Sequence, residues 1–311
     1  MRAALFPGQG SQSVGMAHDL YDAIPAARDV LDRSESVLGF PLKQIMFEGP
    51  EETLVRTGHA QPAIFTHSLA LWTAWGESRP TFHWAAGHSL GEFSALTAAG
   101  AWDFETGLRL VQVRSSAMQK ACDEHPGTMA ALTQLPADRL EALLHGARAG
   151  EILEAANFNS DGQIVISGER PAVERAVELA GRYGARRATL LKVGGAFHSP
   201  LMAGAQSELG AALDDADIRK PDFPVLLNVT AKPTTDPSEI RAQLKAQLTS
   251  PVLWQQTMIR FGELGMQECV EIGPGKVLQG LMRRTLPDAG RSGIETAENL
   301  SAVTSTASLS S

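Results

Sequence analysis

A single serine, Ser89, sits in the pattern Gly87-His88-Ser89-Leu90-Gly91, which occurs once in the chain. In G-x-S-x-G the serine rides a tight strand-to-helix turn, and the glycines let strand and helix pass closely. The strand-like run HWAAG (83–87) lies directly before it. A serine hydroxyl is a weak nucleophile until a base takes its proton. Among eight histidines, His198 is best placed to do so. It follows the apolar run RATLLKV and the pair Gly194-Gly195, and precedes Ser199-Pro200, which reads as the N-cap and first residue of a helix. Nearby helix N-termini disfavour imidazolium and would keep the ring neutral. The plain alternative is a capping-region histidine without a chemical role. His88 should face away from Ser89 across the turn. His59 and His67, on or before the helix QPAIFTHSLALW, read as structural.

The opening stretch LFPGQGSQSVG is rich in glycine and follows a short strand, AALF (3–6). Phosphate-binding templates fail here. The dinucleotide pattern needs glycine where Ser13 stands, and the P-loop needs lysine where Met16 stands. Gln9, Ser89 and His198 nevertheless share one property: each falls just after a strand and before a helix, at the edge where open α/β sheets bind ligands. An acyl-transfer intermediate carries an oxyanion that needs two donors. The N–H of Leu90, just after the nucleophile, supplies one, and an N–H of the glycine-flanked loop can supply the other. The helix beginning near Asp103 adds a cation. Phe104, Leu108, Val111, Ser115 and Met118 read as its buried stripe, with Arg114 at the edge. Arg114 reads either as a side chain that snorkels to water or as a fork for a carboxylate.

Strands and helices alternate around these residues, predicting an α/β protein whose larger domain holds a mostly parallel sheet with helices on both faces. Between His125 and Gly195 the texture changes. GTMAALTQL, EILEAANF, QIVISG and RATLLKV read as strands, with helices ADRLEALLHGARA and PAVERAVELAGRYG after the first and third. That β-α-β-β-α-β order is the ferredoxin-like unit. The expected layout is a catalytic domain over 1–124 and 195–287, a small domain over 125–194, and a Ser/Thr/Ala-rich tail, 288–311, expected to be disordered.

With 311 residues, a net charge of −8 and a pI near 5.5, the chain gives no general attraction to nucleic acid or to anionic membranes. No run reaches the ~18 apolar residues of a membrane span. Pro7 and Gly8 interrupt any signal-peptide core, so a cytoplasmic protein is expected. Cys122 and Cys269 lie far apart without a CxxC and read as buried reduced thiols.

Taken together, FPGQGSQ, TGHAQPAIF, GHSLGE, VRSSAMQ, GAFHS, SPVLW and EIGPGKVL resemble the malonyl-CoA:acyl carrier protein transacylases, the loading enzymes of fatty-acid synthesis, over roughly residues 3 to 286. The resemblance implies a hydrolase-like larger domain and a ping-pong reaction from malonyl-CoA to the phosphopantetheine thiol of acyl carrier protein. It implies Ser89 as nucleophile, His198 as base, and Gln9 and Leu90 as oxyanion donors. Arg114, Phe197 and Gln247 fall to the substrate site, with the Gln247 carbonyl orienting His198 in place of a triad acid. Arg187 and Arg284 would meet coenzyme A phosphates or the acidic carrier. No metal or redox cofactor is implied, and short loops suggest a monomer. One departure is Ser115, where the family often has glycine; Phe197 resembles malonyl-selective members. A polyketide-synthase loader or a malonate decarboxylase remains open within the family. A serine esterase or thioesterase of the α/β-hydrolase kind is the rival outside it. In that fold the base lies late in the chain, and here the 113 residues after His198 hold no histidine.

Overall fold

The computed structural model describes residues 1–308, and of 306–308 the backbone alone. Its larger sheet is built from β1 (Arg2–Phe6), β2 (Trp84–Gly87), β7 (Val225–Leu226), β8 (Pro233–Thr234), β9 (Glu268–Ile272) and β10 (Gly290–Ile294). Their order across it is β10-β9-β1-β2-β7-β8. All neighbours run parallel except β8, which returns against β7. Alternation along β1 explains how the sheet is buried on both faces. Ala4 and Phe6 join one hydrophobic cluster, Ala3 and Leu5 the other, because successive side chains point to opposite sides.

A second, antiparallel sheet is formed by β3 (Gly127–Thr133), β4 (Leu153–Ser160), β5 (Gln163–Glu169) and β6 (Arg187–Leu190), in the order β4-β5-β3-β6. Helices Leu140–Arg148 and Arg170–Leu179 connect β3 to β4 and β5 to β6, the ferredoxin-like β-α-β-β-α-β unit, with a core of its own around Leu132, Leu143 and Ile166. β4 is tied to the larger domain through backbone hydrogen bonds between Ala156, Phe158 and Val252.

The expectation of a disordered tail is corrected. β10 adds to the edge of the large sheet, pairing Gly290–Ile294 with Glu268–Ile272 in parallel, and Ala297–Ser308 is helical. Two apolar residues anchor the segment: Ile294 and Leu300 are buried in the main core. The Glu295 carbonyl meets His67 Nε2 at 2.8 Å, and the Ala297 N–H donates to Asp19 Oδ2. Such isolated anchors in a Ser/Thr/Ala-rich stretch carry no periodicity, which is why composition misleads here. Residues 309–311 of the expected tail lie outside the described residues. Among the described residues, no helix is long and apolar enough to cross a membrane.

Candidate active site

The ends of β1 and β2 build the site's floor by close backbone contact. A Cβ on Gly91 would fall 2.1 Å from the Phe6 carbonyl oxygen, one on Gly87 1.9 Å from the Gly91 backbone, and one on Gly8 2.3 Å from the His88 carbonyl. The glycines thus press the opening loop, the strand end and the helix Gly91–Ala98 against one another. Gly91→Ala is expected to lower stability by roughly 1–3 kcal/mol or more, as overpacking of rigid backbone does. The midpoint and slope of urea unfolding measure it, and a wild-type midpoint would contradict the packing.

Ser89 occupies the left-handed region, φ 51°, a strained conformation for a residue with a side chain. Asn228 holds it there: its Oδ1 accepts from Ser89 N–H at 2.7 Å and its Nδ2 donates to the Gly87 carbonyl at 2.7 Å. His198 is likewise left-handed, φ 57°, just before Ser199, whose hydroxyl accepts from Leu201 N–H at the start of a short helix. Ser89 Oγ lies 2.8 Å from His198 Nε2. His198 Nδ1 faces two carbonyl oxygens, Gln247 at 2.9 Å and Ser250 at 3.2 Å. Carbonyls only accept, so the proton resides on Nδ1 and Nε2 is left to accept from the serine. Burial, then the Arg114 charge, hold the His198 imidazolium down to about 3, so the ring is neutral. The sequence leads to the same neutrality through helix ends, whereas burial and the Arg114 charge produce it.

Arg114 does not snorkel. The helix Phe104–Glu124 buries it, 1% exposed, with its guanidinium over the Phe93 ring at 5.6 Å. Nη1 donates to Gln61 Oε1 at 2.6 Å, and Nη2 donates to Ser89 Oγ and to Gln247 Oε1, both at 2.9 Å. All three partners are neutral, and Nε has no partner among the described residues. Burial pulls the guanidinium down to about 9, with Glu92 opposing.

These groups face a cavity of about 160 Å³. That is below the roughly 300–1,000 Å³ of pockets for drug-sized ligands and suits a small acyl group. Gln9, Gln61, Ser89, Leu90, Arg114, Phe197 and His198 line it, as do Met129, Asn157 and the run Leu191-Lys192-Val193. Among the described residues, the backbone N–H groups of Gln9 and Leu90 have no acceptor within the protein, as oxyanion donors require. His88 turns its Nε2 to Asn159 Oδ1 at 2.9 Å, away from the nucleophile, and thereby links the elbow to β4. Burial raises the Cys122 thiol to about 11, which keeps it protonated and disfavours the reactive thiolate.

One placement differs from expectation. Gln247 does not line the cavity but is fully buried behind Arg114 and His198. Arg187 and Arg284, expected to meet coenzyme A phosphates or the carrier, lie outside the lining. Arg187 donates to Thr189 on the exposed strand β6, and Arg284 Nη1 donates to Gln163 Oε1 at 2.9 Å. Lys192 is an exposed cation in the lining beside the buried Arg114, and the sequence reading passes over it. It also passes over Asn228, Gln61 and Glu92, although the last two lie inside TGHAQPAIF and GHSLGE. Side-chain hydrogen bonds between distant segments leave no periodic signal.

An acyl transferase domain model matches residues 4–307. The chain is 42% identical over 283 residues to the malonyl CoA-acyl carrier protein transacylase of Bacillus subtilis (strain 168), covering 91% of this chain and 89% of that protein. The crystal structure of acyl-carrier-protein-S-malonyltransferase from Bartonella henselae superposes with a TM-score of 0.94 at 39% identity, covering 99% of both chains. A malonyl-transacylase solved in complex with a type II PKS acyl-carrier protein gives 0.94 at 38% identity, covering 98% of this chain and 99% of that one. A serine elbow, a neutral histidine turned onto it and a buried guanidinium beside it therefore stand on a fold shared from end to end, and the chain belongs to the acyl transferase domain family.

Proposed function

We infer that this protein transfers a malonyl group from malonyl-CoA to the phosphopantetheine thiol of acyl carrier protein, through an acyl-serine formed on Ser89. One observation carries the malonyl reading: Arg114, buried and facing the cavity, touches the nucleophile while every partner it has is neutral. A carboxylate arriving with the acyl group would gain a charge-assisted fork, which a neutral acyl group would not.

His198 Nε2 takes the Ser89 proton as Oγ attacks the thioester carbon, and the N–H groups of Gln9 and Leu90 hold the resulting oxyanion. The C–S bond then breaks, and the imidazolium returns its proton to the departing coenzyme A sulfur. The carrier thiol reverses the sequence: it gives its proton to His198, attacks the acyl-serine, and Ser89 recovers its hydroxyl. Phe197 bounds the acyl end of the cavity. Gln247 works from behind, its carbonyl fixing the His198 tautomer. The relatives are named for malonyl transfer to acyl carrier protein, and from the resemblance above we assign this protein to the loading step of fatty-acid synthesis. The complex with a type II PKS carrier favours polyketide loading as a second reading. We place the protein in the cytoplasm, acting as a monomer. Intact-mass measurement after mixing with malonyl-CoA and, separately, acetyl-CoA tests the function. A single malonyl adduct, formed faster than any acetyl adduct and discharged by the phosphopantetheinylated carrier, is expected. Hydrolysis without transfer would favour the esterase.

Arg187 and Arg284 lie outside the cavity as exposed cations, and we assign them to the carrier protein or the outer phosphates of coenzyme A. Reversing both charges is expected to raise KM for the carrier, with an effect that shrinks as salt screens the attraction. An unchanged KM at low salt would remove them from the interface.

A further inference from the structure

Behind the nucleophile lies a buried carboxylate that the acyl-transfer steps do not use. Glu92 is 1% exposed in the first turn of the helix after Ser89, and it is not among the residues lining the cavity. Its Oε1 accepts from Asn228 N–H at 3.1 Å, and its Oε2 accepts from Gln247 Nε2. The Gln247 amide is thus held between two opposite charges. Nε2 donates to Glu92 and to the Ser89 carbonyl, the latter at 3.0 Å, while Oε1 accepts from Arg114 Nη2 at 2.9 Å. The main chain of the same residue carries the carbonyl that receives His198 Nδ1–H.

We propose that Glu92 is the counter-charge and positioning residue of this site: through the Gln247 amide it answers and aims the Arg114 guanidinium, and through the same residue it fixes the carbonyl that orients His198. The proposal rests on the malonyl-transfer reading above. An isolated buried cation is strongly disfavoured, and a carboxylate one amide away offsets that penalty without occupying the face that receives substrate. A carboxylate in direct contact with Arg114 would compete with the acyl carboxylate. Inserting Gln247 keeps the compensation and leaves the fork open. Burial pushes the Glu92 carboxyl up to about 7, opposed by its bonds to Gln247 and Asn228 and by Arg114, the charged group that acts on it.

Two consequences run in opposite directions. Without the negative charge, Arg114 should attract the acyl carboxylate more strongly. Without the anchor, Gln247 and with it His198 should lose alignment. Single-turnover acylation of Glu92→Gln with malonyl-CoA and with acetyl-CoA at about pH 8, between the Glu92 and Arg114 values where both groups of the wild type are charged, tests both. The amide can accept from Asn228 or from Gln247 but must turn a donor on the other. The expected result is a maximal rate lower by about 10–100-fold for both acyl groups, the scale seen when a group orienting a reactive side chain from behind is lost. The malonyl-CoA concentration for half-maximal rate should fall several-fold, and that for acetyl-CoA should stay put. Loss of properly folded protein would lower amplitude and leave both half-saturations unchanged.

Wild-type rates in Glu92→Gln, or a lower rate with malonyl half-saturation unchanged or raised, overturn the proposal. If Glu92→Gln shows no cooperative unfolding transition, Glu92→Asp decides. It keeps the charge on a shorter arm, so the rate should fall while malonyl half-saturation stays at the wild-type value. A half-saturation that moves, or a rate that does not, refutes the assignment. Wild-type protein measured alongside separates the two claims. If it takes no malonyl group, the transfer reading fails and the proposal falls with it. If it is acylated normally and the variants match it, only the role of Glu92 fails.

Discussion

Ser89→Ala is expected to give a folded protein that forms no acyl adduct with malonyl-CoA at any concentration. The hydroxyl removed meets His198 Nε2 and Arg114 Nη2 but holds no backbone in place, since Asn228 secures the turn through the Ser89 N–H instead. Unfolding temperature should therefore change little while acylation disappears. His198→Ala is the partial version of the same experiment. The nucleophile remains, but its proton has no acceptor, and the rate should fall by the ~10²–10⁴-fold typical of a lost general base. Intact-mass spectra of both variants decide the matter. An adduct persisting on Ser89→Ala would move the nucleophile elsewhere, and normal acylation of His198→Ala would do the same for the base.

Arg114→Ala should divide substrates by charge. Two charge-assisted hydrogen bonds to a carboxylate contribute ~1.5–3 kcal/mol each, so malonyl transfer should fall on the order of 10²–10⁴-fold. Acetyl transfer has no carboxylate to lose. It also gains on one count, because Arg114 is among the groups that depress His198, and its removal leaves a stronger base. Against this stands the lost bond to Gln247 Oε1, made by a charged donor, so acetyl transfer is expected to change by about tenfold, the low end for one hydrogen bond to a charged group and far less than the malonyl loss. Arg114→Lys should restore malonyl transfer in part, since an ammonium supplies charge without the planar fork. Competition between the two acyl-CoA substrates measures the ratio directly. Equal losses on both would make Arg114 a structural residue and remove the physical ground for malonyl.

Much of this site could be read from the chain because its principal residues sit where local rules speak. Gly87 and Gly91 announce a close strand-to-helix turn, Gly8 a loop pressed on its neighbour, and Ser199-Pro200 a helix start beside His198. The ferredoxin-like order was legible because each of its elements has its own periodicity. What stayed hidden depends on contacts between distant segments. Asn228 is 139 residues from the serine it props, and Glu92 is 155 from the amide it holds. Arg114 occupies the edge of an apolar stripe whether it reaches water or not. Its burial is decided by the helix Thr57–Trp75, which supplies Gln61, and by Gln247, neither of which its own helix specifies.

The strand Gly290–Ile294 has a meaning beyond its place in the order of strands. β9, which it pairs with, is almost entirely buried and lies beside β1, the strand that leads into the opening loop. Without the last strand, β9 would present a row of unsatisfied N–H and C=O groups to any passing chain, the template from which edge-to-edge aggregation grows. The strand that takes this exposed place reads Gly-Arg-Ser-Gly-Ile, two glycines and a cation in five residues, a poor recruit for further pairing. A stretch that composition marks as dispensable thus guards the sheet against recognition by its own kind.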